Sequence, residues 1–193
     1  RVPQLTVTAP RGSLIGDFAA ERIDIAFPGS GVLRLDAPRW HALAASRGDR
    51  GRWLRLRIAA LHADRVTWLA DAAAPPGEPA RPPTTLRVPV EVEIDAATVD
   101  ELRIGDDDAM PLRTLRARVH VGGDGGGRHR LDDLALLRDR VRAGGSVAID
   151  TDPPLAVAAQ VALAGSAEAL PWQASIAASG PLDRLDVAAV ARV

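Results

Sequence analysis

The sequence predicts an all-β protein: an elongated, curled antiparallel sheet, a β-groove folded like a taco with an apolar concave face and open at its ends. Three observations predict it. In VPVEVEID, Val88, Val90, Val92 and Ile94 take one parity, and Pro89, Glu91, Glu93 and Asp95 take the other. Successive strand side chains point to opposite faces, so the run is a strand with one apolar face and one wet face. Runs of this kind return about a dozen times along the chain, separated by turn residues, with little helical periodicity. Aromatics make up only 3% of the residues. No core-filling aromatics are expected, and many inward candidates are Ala, Val or Gly, which leaves room along the face.

The elements follow in order. LTVTAP alternates Leu5 and Val7 with Thr6 and Thr8. RIDIAF places Ile23, Ile25 and Phe27 opposite Arg22 and Asp24, and after the turn PGSG, GVLRLD places Leu33 and Leu35 opposite Arg34 and Asp36. The pair reads as a hairpin. HALAASRGDRG is open to a helical turn or two followed by a loop. WLRLRI alternates Leu54, Leu56 and Ile58 with Arg55 and Arg57, and a second strand is expected near Ala63 to Leu69. Ala72 to Thr85 holds five prolines and is excluded from a central strand, so it is a linker or long surface loop. LRTLRARVHV continues the pattern, with Leu115, Ala117, Val119 and Val121 on one side. GGDGGG is a turn. Leu131, Leu134 and Leu137 have helical spacing, but the run continues into GGSVAID, where Val147 and Ile149 alternate, and strands are expected. PLAVAAQVALAG, LPWQASIAASG and LDRLDVAAVARV read as three consecutive antiparallel strands. The chain therefore divides into an N-terminal β segment (1–71), the Pro-rich loop (72–85) and a continuing β segment (86–193).

Composition excludes several functions. Of the 193 residues, 24 are basic and 25 acidic, for a net charge of −1. All the basic residues are Arg, which reflects codon bias. No basic face stands out, so no nucleic-acid partner is expected. With no Cys there are no disulfides, zinc thiolates or thiol nucleophiles. No apolar run is long enough to cross a membrane as a helix. The opening RVPQLTVTAP lacks an initiator Met, so the chain is expected to be a piece of a longer protein.

Catalytic signals are missing. His41, His62, His120 and His129 fall into no metal-ligand spacing and are expected to be solvated surface residues. Asp106 to Asp108 lack the ligand spacing of a calcium loop. GGDGGG is followed by no GK[ST], and no GxSxG elbow or triad is present. The protein is not expected to be an enzyme, and no cofactor or metal is expected. Arg55/Arg57 and Arg116/Arg118 are expected to pair with cross-strand acids on the outer face.

APRGSLIGDFAAERIDIAF followed by GVLRLDAPRW resembles the start of the periplasmic part of TamB proteins, of the AsmA-like superfamily. Gly12, Ser13, Leu14 and Gly16 match the family's G-S-L-x-G stretch. WLRLRIAALHADRVTW is similar to its L-x-L-x-x-L segment, PPGEPARPP to its Pro-rich break, LRVPVEVEIDAATVDELRIG to its alternating passage, and SGPLDRLDVAAVARV to its closing strands. The resemblance implies a length of a periplasm-spanning β-groove, anchored in the inner membrane of a Gram-negative bacterium by a segment outside this chain. It implies phospholipid transport to the outer membrane and outer-membrane protein translocation and assembly with a partner barrel. It carries no catalytic residues.

The residues support a groove independently. If every strand has one apolar face, that face must be covered by a second sheet or by curling. Ile23, Ile25, Leu33, Leu35, Val90, Val92, Ile94, Val119, Val147, Val157, Val161 and Ile176 are expected to line it and to contact phospholipid acyl chains. The alternative is a structural or adhesive β-sandwich or β-solenoid module with a dry core. A membrane barrel segment fits poorly, because the aromatic girdles are missing.

Overall fold

A computed structural model describes residues 4–27, 31–48, 53–70, 85–105, 111–167 and 170–193. It is nearly all strand, 78% against 2% helix. The strands are β1 (Gln4–Thr8), β2 (Arg11–Gly12), β3 (Gly16–Ala19), β4 (Arg22–Phe27), β5 (Gly31–Asp36), β6 (Arg39–Arg47), β7 (Leu54–Ala70), β8 (Val90–Ile104), β9 (Leu112–Gly122), β10 (Arg128–Arg138), β11 (Val141–Asp150), β12 (Ala156–Ala167), β13 (Leu170–Pro181) and β14 (Asp186–Arg192). All 14 belong to one open sheet in the order β1-β4-β5-β7-β8-β9-β10-β11-β12-β13-β14, with β2-β3-β6 attached to β7 beside β5. Eleven strands side by side span about 48 Å.

One joint departs from the expected antiparallel order. β7 pairs with β8 in parallel, from Leu54↔Val90 to Trp68↔Ile104. A parallel neighbour requires a long connection that returns to the strand's start. From Ala70 back to the level of Leu54 is about 53 Å along the strand. The chain from Ala70 to Val90 can reach about 66–72 Å when fully extended. The chain length between Ala70 and Val90 is thus enough for this connection, with little to spare. Residues 71–84, the turn at 28–30 and Asp106 to Asp108 lie outside the described residues.

Two further expectations are corrected. Of HALAASRGDRG (His41 to Gly51), His41 to Arg47 is not a helical turn but part of the strand Arg39–Arg47, because Leu43 pairs with Ile58 and Trp40 with Leu61 across β7, and 49–51 lie outside the described residues. Leu54–Ala70 is one strand of 17 residues, not two.

The helix-like spacing of Leu131 and Leu134 has a different cause, while Leu137 pairs with Arg142 and Arg113 on the opposite face. Asp133 has φ 53, and the register with β11 shifts between Leu131 and Leu134. A bulge inserts one residue and reverses the alternation, so the inward positions become i and i+3. The same slip separates Ile94 from Ala97 against β9. Such bulges increase the right-handed twist and curl the sheet.

GGDGGG is a turn, as expected: Gly122 has φ 74 and Asp124 φ 52, outside helical geometry. The adjoining end of the sheet is tied by polar contacts. The buried Thr151 donates its hydroxyl to the Gly126 carbonyl (2.7 Å), and its own carbonyl accepts from Leu86 N–H (2.8 Å). Gly122 N–H donates to His129 Nδ1 (2.9 Å), and Nε2–H donates to the Leu86 carbonyl (2.8 Å). These bonds fix where the chain enters β8.

The tightest packing is N-terminal. Phe18, Ala20 and Ile23 form one buried cluster with Val7, Ile25, Leu35 and Trp40 around it. Ile58, Ile94 and Ala97 form a second with Trp40, Leu43, Leu61, Val92 and Val119. Trp40 belongs to both and stacks on Phe18 with ring centroids 4.1 Å apart.

Candidate functional site

The pairing register brings the twelve expected lining residues onto one face. Directly paired residues on neighbouring strands point the same way. Ile23 pairs with Leu35 and Ile25 with Leu33, and these pair onward with Val66 and Trp68 of β7. Val90, Val92 and Ile94 pair with Leu54, Leu56 and Ile58. The two groups meet through Trp40. Ile94 pairs with Val119, Val119 with Leu131, and Leu131 with Val147. Val157 lies opposite Ile149 and Val161 opposite Gly145, while Ile176 lies opposite Val161. Alternation on β8 and β12 is enough to read these positions. The phase slips on β7, β8 and β10 are visible only in the register.

Cover along the face is uneven. Ile58, Ile94, Ala97 and Ala117 are less than a tenth exposed. Val147, Val157, Val161 and Ile176 are only half-buried. On β14, Val187 is 64% exposed. The expectation that no aromatics fill the core is corrected for the N-terminal half. Phe18 with Trp40, and Phe27 with Trp68, gather four of the six aromatics there. In the C-terminal half Trp172 packs over Gly165, where an added Cβ would meet the indole at 2.7 Å.

The opposite face of β4 to β9 is a seam of ion pairs. Arg55 reaches Glu93 (3.1 Å), Arg57 reaches Asp95 (3.1 Å) and Arg118 reaches Asp133 (2.9 Å), while Arg34 pairs with Asp24 (2.8 Å). Arg103 and Arg65 both hold Glu101, at 2.6 and 2.9 Å. The Arg103 hydrogen bond is the main cause that keeps the Glu101 carboxyl below its ordinary value, against desolvation and with help from Arg65. Asp152 is lowered chiefly by its hydrogen bond from Arg87, and Asp17 by the Ala42 N–H.

The histidines are not uniformly solvated surface groups. His41 is exposed beside Asp17, but His120 lies 3.0 Å from the buried Glu91, and His129 is held at both ring nitrogens. His62 bonds Thr98 (2.9 Å) and lies 3.1 Å from Asp64 and 3.6 Å from Asp100. These three offer ligand atoms within 4.8 Å of one another. The grouping needs the parallel β7–β8 joint, so no spacing in the sequence reveals it. Asp64 is also paired with Arg39 at 3.2 Å.

Three hollows in the C-terminal half open mainly on the face opposite the twelve residues. They measure about 620, 470 and 460 Å³ and lie over β11 to β14. Their floor is built from small side chains such as Ala162, Ser175 and Ala177.

No family model, no curated protein and no solved structure matches this chain.

Proposed function

We propose that the chain is a length of β-groove that carries phospholipid acyl chains along its apolar face, as the resemblance to TamB proteins implies. The observation that supports this best is the single open sheet whose one apolar face runs from Ile23 to Ile176 and is left half-covered beyond β9. A dry face of Val, Ile, Leu and Ala accepts a hydrocarbon chain through apolar contact alone, about 25 cal/mol per Å² removed from water. It has no directional groups to hold the chain in one place. The ion-pair seam keeps the other side of β4 to β9 hydrated. Within this reading the protein is not an enzyme. It works between an inner-membrane anchor outside this chain and the outer membrane, where a barrel partner completes the assembly module.

The sealed packing around Ile58 and Ile94 favours a second reading, a structural or adhesive β module with a dry core. Native mass spectrometry of the purified chain separates the two. Co-purified phospholipid, released when the chain is unfolded, is expected for the groove. A lipid-free mass after extraction from phospholipid-rich membranes assigns the structural module.

A further inference from the structure

We infer that the back face of β11 to β14 seats one single-chain amphiphile with an anionic head. This site opens mainly on the face opposite the groove, shares only Val147, Val161 and Ile176 with the twelve lining residues, and does not rest on the groove reading. The three hollows share residues and merge into one trench. Gly144, Ala162, Ser175 and Val190 line both the first and the third, and Gln160 and Ala177 line both the second and the third. The register gives its width. Arg142 pairs with Ala164, Ala164 with Gln173, and Gln173 with Arg192. The two arginines therefore flank a floor two strands wide, about 14 Å from wall to wall. That width takes one hydrocarbon chain lying along the strands. From Ala164 to Ala158 the floor runs about 20 Å, the length of an extended long-chain acyl tail.

Charge sets the direction. On this face most arginines already have an acid: Arg128 pairs with Asp150 at 2.7 Å and Arg130 with Asp132 at 3.2 Å, both at the far end of the trench. Arg142 and Arg192 have no carboxylate partner among the described residues. Two guanidiniums with no carboxylate partner among the described residues at one end, and neutral small side chains along the floor, complement an anionic head followed by an apolar tail. Guanidinium binds carboxylate or phosphate with charge-assisted bonds. Small floor residues leave the volume that Val, Leu and Ile fill on the front face.

The test is a titration of the purified chain with dansyl-aminoundecanoate, a fluorescent single-chain carboxylate, followed by displacement with oleate. One saturable equivalent with blue-shifted emission is expected, displaced by oleate and at least tenfold less well by oleyl alcohol. Arg142→Gln with Arg192→Gln should weaken binding at least tenfold, and Ala162→Trp should block it. All three positions are exposed, and an unchanged thermal midpoint checks the fold. Val157→Ser, on the front face and outside all three hollows, should leave binding unchanged. Equal displacement by oleate and oleyl alcohol would overturn the anionic head. Loss of binding in Val157→Ser but not in the Arg variants would place the ligand on the other face. Full displacement by inorganic phosphate alone would reduce the site to an ion seat and overturn the amphiphile.

Discussion

Ile94 and Ile176 stand on the same apolar face, yet truncating them should cost very different amounts. Ile94 is 9% exposed and packs with Ile58 and Ala97, ringed by Leu61, Val92 and Val119. Ile94→Ala removes three carbons from this cluster, about 2.4 kcal/mol at 0.8 per methylene, and the unfilled cavity raises the loss to about 3–4 kcal/mol. Ile176 faces Val161 on one side and Ala189 on the other and keeps part of its surface in solvent. Less transfer energy is at stake and no closed cavity forms, so Ile176→Ala should cost about 1 kcal/mol. For a chain of this size each kcal/mol moves the midpoint by about 2–4 °C. Thermal melts followed by circular dichroism should therefore fall by about 6–16 °C for Ile94→Ala and about 2–4 °C for Ile176→Ala. Equal losses would mean that the C-terminal half of the face is as dry and packed as the N-terminal half. The half-open groove would then be wrong.

Three other outcomes follow from the same geometry. Val161→Asp places a charge on the apolar path, where desolvation penalises it, and should lower phospholipid co-purification severalfold while circular dichroism still reports β-structure. Glu101, held below its ordinary value of 4.5 by Arg103 and Arg65, contributes stability that is fully present above the unfolded value and lost as pH falls through the lower folded value. The midpoint gap between wild type and Glu101→Gln should be widest near pH 7 and narrow as pH falls below 4.5, as read by melts across that range. Deleting two residues from 72–84 should be tolerated, because about 59–65 Å of reach remains. Deleting eight leaves about 40–43 Å and should break the β7–β8 joint, seen as lost amide protection from Val90 to Ile104.

Much of this fold is written in period two. Val90 to Ile94 and Val157 to Val161 each give strand, face and partner parity directly, because strong alternation tolerates only one register against a buried face. Other features depend on contacts distant in sequence. The parallel joint is set by the length and proline content of the connection, not by either strand's pattern, and β7 and β8 look alike in both arrangements. HALAASR is neutral between helix and strand locally, and β7 decides it. Leu131 and Leu134 of β10 imitate a helix because a bulge at Asp133 shifts the phase. The N-terminal seal could not be foreseen from composition, since six aromatics are few overall but four of them converge on one end of the sheet.

The central claim is that one face of the sheet touches acyl chains and the seam behind it does not. Photo-crosslinking residues placed at Val92, Val161 and Ile176, and separately at Arg57 and Arg118, test it directly when the protein is irradiated with phospholipid vesicles and analysed by mass spectrometry. Phospholipid adducts at the first three positions, and none at the two arginines, are the result this account predicts. Adducts at all five positions, or at none, would contradict it.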